Sequence, residues 1–156
     1  MRTTIALLTV IAFVAASFVG CAQRIGDFTL ISTKNVDIGG KYKKLDGRYT
    51  GEDAKGMLLF IPLGTPNLKT AVDNCIENGK GELITNAVLE SSFWTAIVWS
   101  EQKFVVTGDV WTKAGTADLL NPQVKIYELR STSEGLNLVC LTDPSNKVKV
   151  DYLASR

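Results

Sequence analysis

The feature that most constrains the fold is one stretch with a clear helical period, Thr65–Gly81. Thr65 can cap the first turn and Pro66 suits the first helical position, while Asn78-Gly79 and Gly81 supply a stop. The apolar residues recur with the spacing of one helix face; they are Leu68, Ala71, Val72, Cys75 and Ile76. The stretch therefore predicts one amphipathic helix with one face buried against the rest of the domain.

The other apolar segments are short and rich in β-branched and aromatic residues, which favours strands. Met57–Ile61 holds consecutive apolar residues only, which predicts a strand buried on both faces near the middle of a sheet. Further strands are predicted at 28–33, 82–89, 93–99, 103–111, 124–129, 136–141 and 148–153. Residues 41–55 are predicted to form a loop with a short strand around 43–45, and residues 100–102 a turn. We therefore expect an α+β fold: an antiparallel or mixed β-sheet with one main amphipathic helix packed on one face.

The first 20 residues differ in character from this domain. Arg2 precedes an almost unbroken apolar run, Ile5–Val19, and small residues then lead to Gly20 and Cys21. A basic start, an apolar core of about 7–15 residues and a small residue before a cut are the pattern of a secretory signal peptide. A retained transmembrane helix is the alternative, although the run is shorter than the ~20 apolar residues that cross a bilayer.

Phe18-Val19-Gly20-Cys21 resembles the lipobox of bacterial lipoproteins, with Phe18 in place of the usual Leu. The resemblance implies that diacylglycerol is attached to the Cys21 thiol, that the chain is cut before Cys21 and that the new amino group is acylated. Several chains make anchoring stable, because a single chain binds a membrane only marginally. Ala22 is not the Asp that often retains such proteins at the inner membrane, which points to the outer membrane, facing the periplasm. An ordinary signal peptide that contains a cysteine is the alternative.

The predicted organisation is a signal peptide at 1–20, a lipid-anchored tether at 21–27 and a single periplasmic α+β domain at 28–156. One domain is the expected count at this length. Arg2 is the charged residue of the leader, so its removal takes the formal net charge from +1 to zero. A chain with equal numbers of basic and acidic residues gives no sign of a basic surface for binding nucleic acid. Nucleic acid is therefore not an expected partner.

Histidine is absent, which removes the commonest general base and the usual zinc ligand. The carboxylates lack the spacing of a metal-binding loop, and Gly79-Lys80-Gly81 lacks the spacing of a phosphate-binding loop. We therefore expect no catalytic residue, no metal and no cofactor.

Two cysteines, Cys75 and Cys140, remain once Cys21 is acylated. In an oxidising envelope they could pair as a disulfide. Alternatively, each is buried separately as a small hydrophobic residue. The sequence leaves both interpretations open.

The segment Phe93–Trp99 is dense in aromatic and β-branched residues. Phe93, Trp94 and Trp99 either belong to the core or lie exposed near a hairpin tip. In the second case they would contact a partner protein or the lipid surface, since tryptophan favours half-wet positions.

The segments FIPLGTPNLKTAVDNCIENGKGELITNAVLE and FVVTGDVW, with IGDFTLISTKNV before them, resemble the TRL-like (tRNA-associated-locus) family of small bacterial lipoproteins. The resemblance covers about Phe28–Trp111, so residues 28–112 would be a family-like core and 113–156 a C-terminal β extension. It implies a layout of elements and supplies no catalytic residue.

The sequence therefore predicts a non-catalytic bacterial envelope lipoprotein, held at the membrane by acylated Cys21 and binding a protein partner in the periplasm or at the outer membrane. Three alternatives stay open: a phage or prophage lipoprotein that blocks a surface receptor, a carboxylate-dependent envelope hydrolase, and a structural component of the envelope or of a secretion assembly. The sequence indicates no oligomeric state.

Overall fold

The computed structural model describes residues 19–59, 61–96, 98–133, 135–141 and 147–150, so nearly all of the predicted signal peptide lies outside the described residues. The described chain is mostly antiparallel β-sheet with few helical residues. The strands are β1 (Val19–Ile31), β2 (Lys41–Lys44), β3 (Tyr49–Leu58), β4 (Ile61–Pro62), β5 (Leu83–Thr95), β6 (Trp99–Lys113), β7 (Tyr127–Thr132), β8 (Gly135–Cys140) and β9 (Lys147–Val150); the described helices are α1 (Leu68–Asn78) and α2 (Thr116–Leu120).

The long strand β6 organises the sheet. β5 pairs along one side of it, while on the other side β3 pairs with its first part and β2 with its last residues. The strand order is β1-β5-β6-β2-β7-β8-β9, with β4 paired to β3, and the sheet is curled. Every described pairing is antiparallel, so the mixed sheet is excluded for this part of the chain. β7 to β9, in the predicted extension, continue the same sheet through β2.

The predicted amphipathic helix is confirmed as α1, and it packs on β3 and β6. Its buried residues are Ala71, Val72, Cys75 and Ile76, all members of the predicted apolar stripe. The N-cap is Asn67 rather than Thr65, because the Asn67 side chain accepts a hydrogen bond from the Lys69 backbone N–H at 2.8 Å. Gly79 caps the C-terminus, as the glycine signal predicted.

The core consists of two clusters on opposite faces of the sheet. Ile84 of β5 and its partner Val110 of β6 face α1, whereas Leu83 and its partner Trp111 face the other side. Successive residues of a strand point to opposite faces, which explains this division. The second cluster also contains Tyr42, Tyr127, Leu129, Leu138 and Cys140.

Of the two interpretations of Cys75 and Cys140, the structure supports separate burial over a disulfide between them. Cys75 lies in the cluster under α1, and Cys140 lies in the cluster on the opposite face of the sheet. The sheet itself therefore separates the two sulfur atoms. Cys75 instead donates a hydrogen bond to the carbonyl oxygen of Tyr49 at 3.2 Å, and burial raises the pKa of its thiol.

We expect dithiothreitol to leave the urea midpoint of unfolding unchanged, because Cys75 and Cys140 lie on opposite faces of the sheet. We also expect the native protein to protect Cys75 from iodoacetamide, since this residue is buried and the raised pKa disfavours the reactive thiolate. Circular dichroism with and without reductant measures the first effect, and peptide mass mapping measures the second. A reductant-dependent midpoint would contradict the separation of the two cysteines.

Candidate functional site

Cys21, the predicted acylation site, lies exposed in β1. The predicted tether at 21–27 is wrong, because these residues form part of a strand that pairs with β5 and not a free linker. In this register Cys21 lies opposite Phe93. Directly opposed residues of an antiparallel pair share a face, so the Cys21 sulfur and the Phe93 ring are neighbours on one side of the sheet.

The aromatic residues of 93–99 lie where the β5–β6 hairpin reverses. The predicted turn at 100–102 is wrong; the reversal lies between Thr95 and Trp99, and residues 100–102 belong to β6. Phe93 is 46% exposed and Trp94 is 39% exposed, while Trp99 is partly buried. The interpretation of Phe93 and Trp94 as core residues is therefore excluded, and both lie at the surface.

Trp94 and Trp99 are held on the face of the sheet opposite Phe93. The Trp94 indole N–H donates a hydrogen bond to the Glu101 carboxylate at 3.2 Å. The Trp99 ring covers Gly56, where it occupies the space that a side chain would need. Because Gly56 has no side chain, the Trp99 ring packs directly on its backbone. This packing explains why Trp99 is less exposed than Phe93 and Trp94.

The strand predicted at Met57–Ile61 is wrong as a central buried element. Leu58 ends β3 and pairs with Ile61 of the short strand β4, so the chain reverses within the apolar run. Leu59 has a φ of 47°, in the left-handed region that a leucine rarely adopts. The run lies at one end of the sheet, where Leu59 donates its N–H to the carbonyl oxygen of Val98 at 3.0 Å.

The β3–β4 and β5–β6 hairpins thus bring exposed apolar residues to one end of the sheet. We call this surface the apolar end; its members are Leu58, Leu59, Ile61, Leu63, Phe93, Trp94 and Val98, all of them exposed. The sequence indicates exposure of Phe93 and Trp94, as one of two interpretations, but gives no such signal for the other five. Leu58, Leu59 and Ile61 fall within the strand predicted to be buried. The signal that could have found them is the pair Pro62 and Gly64, which interrupts the apolar run and favours a turn.

Asp53 fixes the base of the β3–β4 hairpin to the start of α1. One carboxylate oxygen accepts the backbone N–H of Asn67 at 2.7 Å, and the other lies 3.2 Å from the Lys55 ammonium nitrogen. These contacts, with the Asn67 N–H first, lower the pKa of Asp53 below its ordinary value. The carboxylate is buried and charged, so it holds the hairpin and the helix in one arrangement.

We expect Asp53→Asn to lower the free energy of unfolding at pH 7 by about 1 kcal/mol, since a charged acceptor becomes a neutral one. A lowered folded-state pKa contributes stability above the unfolded value of about 3.9, and this stability is lost as the pH falls through the folded-state pKa. The difference between wild type and variant should therefore be complete at pH 6 and shrink steadily as the pH falls below about 3.9. Urea unfolding at several pH values measures it; a difference that does not shrink below that pH would contradict this assignment.

Among the described residues, two of the clefts lie outside the apolar end. The larger, of about 610 Å³, is lined by Lys43, Lys44, Lys125, Asp46 and neighbouring residues. Two of its lysines are paired, Lys43 with Asp118 at 2.7 Å and Lys44 with Asp109 at 3.0 Å. The smaller, of about 320 Å³, contains Asp27 as its single lining carboxylate. Neither of these two clefts is lined by a pair of carboxylates, which a glycosidase mechanism requires.

Within the described ranges, no group of three or more Cys, Asp and Glu side chains is arranged to hold a metal ion. Of the described helices, none combines the length and the apolar character needed to cross a bilayer.

Comparison of the chain with models of protein families, with curated proteins and with solved structures gives no match. The resemblance to the TRL-like family therefore stays a prediction, and functional inference depends on the residues themselves.

Proposed function

We propose that this chain is a bacterial envelope lipoprotein of the TRL-like kind, anchored by acylated Cys21, and that it is non-catalytic and binds a protein partner. The observation that supports the proposal best is the position of Cys21. It follows a lipobox-like segment directly, it is exposed, and it borders the apolar end. An acylated sulfur at this position would carry its chains away from the folded domain without displacing any core residue.

A non-catalytic role is supported by the chemistry of the described residues. The chain has no histidine, and neither described cleft presents two carboxylates. The lysines of the larger cleft are mostly engaged with Asp118 and Asp109, which leaves little unpaired charge for an anionic substrate. Binding through the surface of the domain is the function that remains best supported.

Acylation is tested by expressing the full chain in a bacterium that processes lipoproteins and feeding it an alkyne-labelled fatty acid. We expect the wild type to incorporate the label, to sediment with the membrane fraction and to begin at an acylated Cys21 by mass spectrometry. Cys21→Ser should lose the label and keep the precursor mass. Cys75→Ala is the matched control, because Cys75 is buried and should leave labelling intact.

An unmodified Cys21 thiol, or an uncut leader in the wild type, would refute the lipoprotein proposal. Partner binding is tested separately by crosslinking in intact cells and affinity purification of the acylated protein. We expect one envelope protein to be enriched over the Cys21→Ser variant. Failure to enrich any protein would contradict the binding role while leaving the anchor intact.

A further inference from the structure

Exposed apolar side chains are concentrated at one end of the molecule. Of the twelve large hydrophobic residues exposed among the described residues, seven belong to the apolar end. The other five are dispersed along the chain: Ile25, Ile38, Leu119, Leu120 and Leu141. A cluster of this kind on a small domain indicates a contact surface, whereas single exposed residues need no explanation.

The predicted acylation site borders this surface with no flexible linker between them. Cys21 to Arg24 pair in register with Phe93 to Glu90, so the acylation site is built into the sheet. The Cα atoms of opposed residues in an antiparallel pair are about 4.5–5.5 Å apart. Acyl chains that enter a bilayer from the Cys21 sulfur would therefore bring Phe93 to the headgroup region as well.

The composition of the apolar end suits a lipid interface. Phe93 and Trp94 are aromatic residues of the kind enriched at the membrane–water boundary. The Trp94 indole N–H keeps a polar partner in Glu101, which matches the half-wet environment of headgroups. Ile61 is 65% exposed and Leu63 is 59% exposed, so both offer apolar area that water covers in the isolated domain.

Cleavage before Cys21 would enlarge this surface. Val19 and Gly20 pair with Thr95 and Trp94 in β1, and Gly20 lies against the Trp94 side chain. Removing residues 1–20 takes away this cover. The mature chain would then present Trp94 more openly, at the same end of the sheet as Cys21 but on the opposite face.

We propose that the apolar end rests on the lipid surface into which the acyl chains of Cys21 insert, so that the anchor holds the domain in one fixed orientation. This inference rests on the proposed acylation of Cys21. We assign the apolar end to a lipid surface and not to a protein partner for a spatial reason. Acyl chains attached to Cys21 leave the protein beside Phe93, so the bilayer that receives them lies against this end. Since β6 extends its 15 residues away from this end, its far end lies roughly 45 Å from the membrane. The lysine-lined cleft lies at that far end, because Lys43 and Lys44 pair with the last residues of β6.

The test uses acylated protein purified from membranes and placed in phosphatidylethanolamine–phosphatidylglycerol vesicles with brominated acyl chains. Bromine quenches tryptophan at the membrane, and acrylamide quenches tryptophan in water. We expect the Trp94 emission, obtained as the difference between wild type and Trp94→Phe, to be quenched at least twofold by brominated lipid and shielded from acrylamide. Trp111 is buried in the core and provides an internal reference that neither quencher reaches.

The matched variants are Ile61→Asp with Leu63→Asp in the apolar end and Leu120→Asp near the far end, where Leu120 is 79% exposed. All three positions are exposed, so folding should be retained and circular dichroism verifies it. We expect the pair in the apolar end to halve the quenching by brominated lipid, and Leu120→Asp to leave it unchanged. Equal effects of both variants would overturn the proposed orientation.

The two proposals fail in distinguishable ways. An acylated Cys21 with Trp94 equally open to acrylamide in the presence and absence of vesicles overturns the docking and leaves the lipoprotein proposal standing. Shielding of Trp94 in native membranes but not in pure lipid vesicles also overturns it, because a protein would then cover the apolar end. An unmodified Cys21 overturns both proposals.

Discussion

Replacing Gly51 by alanine should destabilise the domain by about 3 kcal/mol or more, at the upper end of what overpacking costs. Gly51 of β3 lies directly beneath α1, and a Cβ placed there would lie 2.7 Å from the carbonyl carbon of Asn74. It would come still closer to the Cys75 nitrogen and the Ala71 carbonyl oxygen. All three atoms belong to the helix backbone, which cannot rotate away as a side chain could.

The consequence would extend along the whole helix. To accept the added methyl group, α1 must lift from β3, and its buried side chains lose packing against the first core cluster. Domains of this size are stable by only about 5–15 kcal/mol, so the loss is a large fraction of the total. Urea unfolding followed by circular dichroism measures it directly.

Gly26→Ala is the matched control for this substitution. Gly26 also lies in a strand, yet the nearest atom to its added Cβ is on the Phe28 ring at 4.0 Å, an ordinary contact distance. We expect this variant to change the free energy of unfolding by no more than about 0.5 kcal/mol. Equal effects of the two substitutions would show that α1 does not pack on Gly51 as described.

Trp111→Ala should cost about 3–5 kcal/mol, as large-to-small changes of a buried tryptophan do. Trp111 is 2% exposed and makes an edge-to-face contact with Tyr127, with ring centroids 5.0 Å apart. Its indole N–H donates to the Thr85 hydroxyl oxygen at 2.8 Å, deep in the sheet. The substitution removes the largest side chain of the second core cluster together with this buried hydrogen bond.

Two further variants separate the causes. Trp111→Phe keeps an aromatic ring but removes the N–H donor, so we expect an intermediate loss of about 1–3 kcal/mol. Trp94→Ala should stay within about 1 kcal/mol of wild type, because Trp94 lies at the surface. Circular dichroism is the right probe, since each variant changes the fluorescence. A large loss for Trp94→Ala would place this residue in the core and contradict the apolar end.

Local signals made the helix and most strands predictable. The apolar face of α1 is predicted from the spacing of its apolar residues and from the glycine at its end. Both signals lie within one short segment of sequence. The long strands β5 and β6 follow from β-branched and aromatic content. In the segment 41–55, the short strand predicted around 43–45 overlaps β2, but the loop prediction is wrong for β3. β3 escapes prediction because it carries Gly51 and Asp53 where apolar residues would normally face a helix. Gly51 admits the α1 backbone and Asp53 binds the Asn67 N–H, and both roles depend on the helix being in place.

The apolar end could not be predicted as a unit. The chain brings its members together through pairing of β3 and β5 with β6; they are Leu58, Leu59, Ile61, Leu63, Phe93, Trp94 and Val98. The apolar run at Met57–Ile61 satisfies the pattern of a buried strand, and only the pairing of Leu58 with Ile61 shows that it turns back at the surface. An apolar run shows how much free energy its burial would contribute. It does not show whether another helix or strand packs over it.

By itself, the sequence determined the helix stripe, the β-rich remainder and the lipobox-like segment, because each depends on neighbouring residues alone. The tertiary structure decided that Cys75 and Cys140 lie on opposite faces of the sheet and that Cys21 lies beside Phe93. These outcomes depend on strand register, and a shift of one residue would move every side chain of a strand to the other face. Register is set by contacts between distant segments, which is why local patterns could not supply it.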